Sequence, residues 1–556
     1  MKVRRVAFVS GLLLVSASGC STCKKDDPQK SSAPATSAST ESAKDEPAAN
    51  PKGPPTSHLG ALSSAKNPYK DWKLAKDAFS FQNYGPGMAD LSPAELRRMC
   101  GDAACADLDG DTCVLQPQVD QMMTELNKMV AGGHCEGMAI LTLLLQRGII
   151  DPARFGAKTG SALDLKDNAA LQRELAYWWA TQMMEPVAPT RNELMAKQTP
   201  KSIVEAMRKA VENDEPQTLA FWKRDRTAGH ATTPYAVVDK EDGVVWILHY
   251  DNNYPGEERH IEVDTKADTW KYTTSADPNQ PEPDDYDGDG ETHSIALVPL
   301  APRLEKPACV GMGDVDDTGA TGSVAMRAIF LDGKGDLLIT DDGGHHLGWF
   351  GGKLVSEIPG AYYSVMPTAA AKKDEEPVYF VPPGKPLTLT LDGAGLSADE
   401  TSDVTLIGPG YTLAVEDIDL APNEKDALDV AGDWSSVSYA TDTKETPTLR
   451  IGISTKGPDY EIAVKASGEK AGQKLTLGVD LAKGTFVLMV HGGDGSTDYS
   501  VELQRIDDKG KVVFSHKGLA AGDDQAVAFD YASWKGNKEP MHVTVGGTAS
   551  DVPDDE

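Results

Sequence analysis

Residues 133–145 read GHCEGMAILTLLL. Gly132 and Gly133 interrupt whatever precedes them, and a cysteine then heads the most apolar helix-length run in the chain. A cysteine serving only as a small hydrophobe would fit anywhere inside such a run. At the first turn it meets unpaired backbone N–H groups and the positive end of a helix, which favour a thiolate. The stretch predicts a buried helix with a candidate nucleophile, Cys135, at its N-terminus.

Outward from that helix the pattern is mixed. Upstream, QVDQMMTELNKMV (118–130) puts Val119, Met122, Met123, Leu126 and Met129 on one helical stripe. Downstream, LQRELAYWWATQMM and KSIVEAMRKAV are amphipathic, the second opened by Thr199 as cap and Pro200 in the first turn. Then the texture changes to short β-branched and aromatic runs: QTLAFWKR, HATTPYAVVD, GVVWILHYD and RHIEVD. Helices first and an antiparallel sheet afterwards define an α+β domain, expected over residues 68–310. Beyond it helical periodicity disappears. VAMRAIFLDGKGDLLITDDGG reads as a hairpin, and alternating runs such as TLRIGIST, DYEIAVKAS and QKLTLGVDL continue to the end. Residues 311–372 are expected to form a β-rich connecting segment and 373–550 a β-sandwich-like domain.

The N-terminus addresses the chain. Lys2, Arg4 and Arg5 precede VAFVSGLLLV, an apolar stretch too short to span a bilayer. With Ala17, Ser18 and Gly19 before Cys20, residues 1–19 resemble a bacterial lipoprotein signal, which implies acylation of Cys20; Ala17 stands where leucine is usual, so ordinary signal-peptidase cleavage is the alternative. Residues 20–67 are rich in Ser, Ala, Pro, Lys and Asp and are expected to form a disordered stalk. The expected location is the cell envelope, lipid-anchored, on the outer membrane if the cell has one. With 54 basic and 85 acidic residues the net charge is −31, which argues against a nucleic-acid partner. Export also favours disulfides among the seven cysteines: Cys105 with Cys113 is the preferred pair, and Cys309 is a possible partner for Cys100.

A nucleophilic thiol needs a base, and the base needs an orienting group. His230 opens the strand HATTPYAVVD; after the turn KEDG, the strand VVWILHYDNN returns. Folding this hairpin brings His230 opposite residues around Asp251, Asn252 and Asn253, with the register open to a one-residue slip. His134, next to the thiol, and His249, inside the return strand, are the rival imidazoles.

Cysteine, then His-Ala at the start of a strand, then Asp or Asn at the end of the next, resembles the papain-like cysteine peptidase clan. YDNNYPG (250–256) is similar to its bacterial members that use aspartate. The resemblance covers roughly residues 78–275. It implies a papain-like α+β fold, Cys135 as nucleophile, His230 as general base and acid, and Asp251 as its orienter. Papain's oxyanion-hole glutamine, six residues before the cysteine, is Met129 here, and the tryptophan after the nucleophile is Glu136. Gln82 and Asn83, in FSFQNYGPG, are the candidate substitutes.

A second candidate site is DDYDGDGE (284–291). Asp285, Asp287 and Asp289 followed by Gly290 match the first half of an EF-hand loop, but position twelve is Ala296, so only weak Ca2+ binding or a solvated acidic loop is expected. The expected function is hydrolysis of a peptide or amide through a thioester, with no cofactor required. A transglutaminase-like acyl transfer uses the same triad. The rival from another class is a non-catalytic envelope lipoprotein that binds ligands through its β-rich region.

Overall fold

The run that begins at Cys135 is helical to Arg147, and every residue of it is buried. That matches its sequence, which offers no polar face. The computed structural model describes residues 65–556 except 88, 227, 275–283, 313–325, 368–375, 442, 468–471, 493–495, 537 and 556. The expected leader (1–19), Cys20 and the stalk as far as residue 64 lie outside the described residues.

Seven α-helices occur among the described residues: α1 (Leu74–Asp77), α2 (Pro93–Cys100), α3 (Pro117–Val130), α4 (Cys135–Arg147), α5 (Ala169–Ala180), α6 (Val187–Lys197) and α7 (Pro200–Glu212). In α3 the expected stripe is turned inward at Val119, Met122 and Leu126, while Met123 and Met129 sit at its margin. Thr199 and Ser202 cap α7 reciprocally, with Pro200 in the first turn. Helix α4 is fixed at both ends. Gly148, in the left-handed conformation (φ +68°), ends it, and the buried Arg147 makes a bidentate ion pair with Asp214. Along its length α5 crosses at Gly137, where a β-carbon would lie 2.1 Å from the Leu175 carbonyl oxygen.

Between α2 and α3 lies a ribbon, β1 (Cys105–Asp109) and β2 (Thr112–Leu115). The main sheet of this region holds β3 (Gln217–Trp222), β4 (Gly229–Asp239), β5 (Val244–Tyr250), β6 (Arg259–Asp264), β7 (Thr269–Thr274), β8 (Asp284–Asp289) and β9 (Ile295–Pro299). It is antiparallel in the order β8-β7-β6-β5-β4-β3-β9. Helices first and antiparallel strands afterwards is thus the observed order. Disulfides join Cys105 to Cys113 across the ribbon and Cys100 to Cys309, leaving Cys135 as the free cysteine among the described residues.

Among the described residues, twenty further strands between Arg327 and Val552 form a sandwich of a nine-stranded and an eleven-stranded sheet. The chain supplies hairpins to the two sheets alternately. Those entering the nine-stranded sheet begin at Glu400, Thr448 and Ser496, 48 residues apart each time, although no sequence repeat accompanies them. Strand alternation fills the space between the sheets with residues such as Leu389, Leu406, Leu428, Ile451, Ile462, Leu477 and Leu488. The segment expected to be a connector, 311–372, is divided differently: Arg327–Asp332 and Tyr362–Ser364 belong to the nine-stranded sheet, and Asp336–Asp341, His346–Phe350 and Lys353–Ser356 to the other. Ile329, Leu337, Ile339 and Leu347 share the sandwich core. Phe330, Met366, Val378, Phe380 and Ile407 in turn extend the helical core, and α3 is bonded to the nine-stranded side of the sandwich through the Ser454–Gln118 and Thr405–Glu125 hydrogen bonds.

Gly137→Ala should force α4 and α5 apart and destabilise the protein by about 3 kcal/mol, measured by urea denaturation. An unchanged midpoint would mean the two helices do not pack this closely.

Candidate active site

The hairpin β4–β5 pairs Thr233 with Tyr250 and Pro234 with His249. Extended beyond the last pair, this register carries Asn252 to Ala231, whose carbonyl accepts a 2.9 Å hydrogen bond from the Asn252 amide. His230 therefore meets the turn that follows β5. Its Nε2 donates to Asp251 Oδ1 at 2.7 Å, with both side chains buried. Of the three residues the sequence left open, Asp251 is the imidazole's partner.

Asp251 is held from several sides. The Asn253 N–H donates to Oδ1 at 2.9 Å; the Tyr272 hydroxyl, at 2.6 Å, and the Thr274 hydroxyl, at 3.3 Å, donate to Oδ2. Burial alone would raise its pKa, but the charge and hydrogen bond of His230, with the Tyr272 hydroxyl, hold the carboxyl well below the usual carboxylate range. Trp270, Tyr272 and Thr274 alternate onto one buried face of β7. That period-two pattern is visible in TWKYTT, but the sequence does not say which site the face reaches.

Cys135 occupies the first position of α4, after Gly133 at φ +145°. A second bond from the Asn252 amide, 3.1 Å to the Cys135 carbonyl, ties the helix start to the hairpin end. Ala231, next to His230, packs on the cysteine. The thiol is fully buried and donates to the Pro367 carbonyl at 3.3 Å. Burial, then the charge of Glu136, pushes it well above the ordinary thiol range, although the backbone N–H groups of Ala231 and Glu136 act the other way. The expectation of a stabilised thiolate is therefore not met in this closed arrangement, because desolvation outweighs the helix terminus. Among the described residues, the buried Nδ1 of His230 has no hydrogen-bond partner.

The segment covering the thiol is anchored by buried side chains. Trp222 Nε1 donates to the Val365 carbonyl at 3.1 Å, and Arg191 binds the Ser364 hydroxyl and, at 3.7 Å, the Met366 sulfur. Gly229 makes room for it: a β-carbon there would lie 2.5 Å from the Trp222 ring and 3.3 Å from the Pro367 Cα. Sequence reading missed this segment, whose contacts span 143 to 232 residues of chain.

The other candidates divide. Gln82 and Asn83 do fold back to the site: Gln82 donates to the Asn253 carbonyl at 3.2 Å, and Asn83 Oδ1 accepts the His134 N–H at 2.8 Å. His134 turns away, with Nδ1 3.0 Å from the Tyr84 carbonyl and its ring stacked on Tyr84. His249 is buried, both ring nitrogens lack hydrogen-bond partners among the described residues, and burial lowers its pKa to about 3, so it is a neutral neighbour of Asp251. Glu136, expected to complement the helix dipole, is buried in an ion pair with Arg303. Asp285, Asp287 and Asp289 lie on strand β8 rather than in a calcium loop, because residues 284–289 pair along their whole length with β7. Arg224 already neutralises Asp287 at 2.8 Å and Asp289 at 3.0 Å; the Asp285 side chain lies outside the described residues.

No protein-family model, curated protein or solved structure matches the chain.

Asp251→Asn should destabilise the fold at pH 7 by about 2 kcal/mol, since His230, Tyr272 and Thr274 lose a charged acceptor. The folded carboxyl titrates below its unfolded value of about 3.9, so its contribution is complete above about pH 4 and drains away as pH falls below that. Denaturation curves at pH 7 and in acid should show the variant missing this part of the acid dependence. Equal stability of both proteins at pH 7 would contradict the network.

Proposed function

We propose that the chain is an exported, lipid-anchored cysteine hydrolase, a peptidase or amidase whose α+β region belongs to the papain-like clan. The observation that carries this reading is the buried His230–Asp251 pair, bonded through Nε2 and leaving Nδ1 unpartnered, stapled by Asn252 to a helix that starts with a free cysteine. An export leader and an acylated Cys20 rest on the sequence of residues 1–20.

The chemistry requires Pro367 to leave the thiol. Nδ1 of His230 then takes the Cys135 proton, with Asp251 holding the ring and stabilising its positive charge. Sulfur attacks the acyl carbon, the first N–H groups of α4 stabilise the oxyanion, and His230 returns the proton to the leaving amine. Water hydrolyses the thioester; an amine in its place would give a transferase. A second reading, a non-catalytic envelope protein, is favoured by the completely covered thiol.

The two readings differ in the thiol's behaviour once it is uncovered. Trp222→Phe removes the bond to the Val365 carbonyl and should speed labelling of Cys135 by iodoacetamide about tenfold. In that background a hydrolase should label below the free-thiol pKa of about 8.5, and His230→Ala should slow labelling near neutral pH. Labelling that rises only near or above pH 8.5, indifferent to His230→Ala, would establish the non-catalytic reading.

A further inference from the structure

The sandwich carries a second cluster of charged groups, remote in sequence from the cysteine. One carboxylate oxygen from each of Glu424, Asp426 and Glu445 lies within 4.8 Å of the others. Their places in the fold are unusual for acids. Asp426 belongs to the strand Lys425–Val430, where it shares the inward face with Leu428 and Val430 and is completely buried. Glu445, 2% exposed, sits in the connection from the strand Ser436–Ala440 to the strand Thr448–Ile453, where the chain crosses between sheets. Glu424 closes the preceding turn, accepting the Ala421 N–H through Oε2.

The available donors do not satisfy this set. Glu445 takes the hydroxyls of Tyr439 at 2.7 Å, Thr441 at 2.7 Å and Thr443 at 3.0 Å, and the Asp419 N–H at 3.3 Å. The Tyr439 and Thr441 hydroxyls also lie beside Asp426, but each has one hydrogen, and at 2.7 Å both give it to Glu445. Among the described residues, both oxygens of Asp426 and Oε1 of Glu424 are buried without a well-formed hydrogen bond. The adjacent Lys425 points the opposite way along the strand and pairs with Asp392 at 2.6 Å. A buried carboxylate with neither donor nor counter-charge is costly. We propose that Glu424, Asp426 and Glu445 form a Ca2+ site that locks the crossover between the two sheets.

The donor set specifies the class of ion. Carboxylate oxygens suit hard divalent cations, and an irregular, largely dehydrated site favours Ca2+ over Mg2+, which needs a near-ideal octahedron and retains water. This site is separate from the acidic strand containing Asp285, Asp287 and Asp289.

The test uses the full chain stripped with chelator. Isothermal titration with CaCl2 should reveal one saturable site, and calcium at about 1 mM should raise the thermal midpoint by several degrees. Tb3+ should occupy the same site and luminesce on tyrosine excitation, since Tyr439 bonds Glu445 directly. Asp426→Asn, nearly isosteric, should weaken calcium binding at least tenfold and abolish the thermal shift, as should Glu445→Gln; Mg2+ should not substitute. Asp289→Asn should leave the response intact. No calcium-dependent shift in the wild-type chain overturns the proposal, and a gain in calcium-free stability from Asp426→Asn would then identify the buried carboxyl as simply protonated. A shift retained in Asp426→Asn but lost in Asp289→Asn also overturns it, moving the ion to the acidic strand.

Discussion

A helix with no polar face must be surrounded, and the first half of this protein is organised around that constraint. Residues Cys135–Arg147 are buried throughout. Helix α5 covers one side at the Gly137 contact, and strands β3 and β4 help to cover another. The charged groups at its ends are then paired: Glu136 with Arg303, both buried, at the start, and the buried Arg147 with the exposed Asp214 at the finish. Leaving buried Glu136 or Arg147 unpaired would be costly, which helps to define the helix position along its axis as well as around it.

That definition gives the cysteine its setting. The same burial that fixes the start of α4 brings it to the open end of the β4–β5 hairpin, where the Asn252 amide binds Cys135 and Ala231 carbonyls at once. His230 and Asp251 are arranged by the hairpin register and by hydroxyls from β7, a separate element. Two rigid pieces thus meet at one side-chain amide. The cover over the thiol is a third piece, drawn from the edge of the sandwich, so the condition of the sulfur depends on contacts between regions far apart in the chain.

The sandwich follows a different rule. Alternating side chains build a broad apolar interior, while successive hairpins are dealt to opposite sheets. Each crossover must carry the chain past the end of the core, where polar backbone and side chains cannot all reach solvent. Glu445 lies on one such crossover and is satisfied by hydroxyls; Asp426, on the inward face beside it, is not.

Much of this was legible in the sequence, for local reasons. The glycines before Cys135 and the apolar run after it marked a buried helix start; Thr199–Pro200 marked α7; the period-two runs marked strands. The spacing of His230, the KEDG turn and Asp251 placed histidine and carboxylate at one end of a hairpin, because antiparallel pairing is nearly set by turn length. Tertiary structure alone decided the rest. Which of Asp251, Asn252 and Asn253 faces the imidazole depends on Tyr272 and Thr274 from another strand. That the acidic run 284–289 is a strand rather than a loop depends on β7 pairing with it. Whether the helix terminus or burial governs Cys135 depends on Pro367, 232 residues away. Sequence periodicity reports the face a residue shares with its near neighbours; desolvation and hydrogen-bond supply are set by whatever the chain later brings against that face.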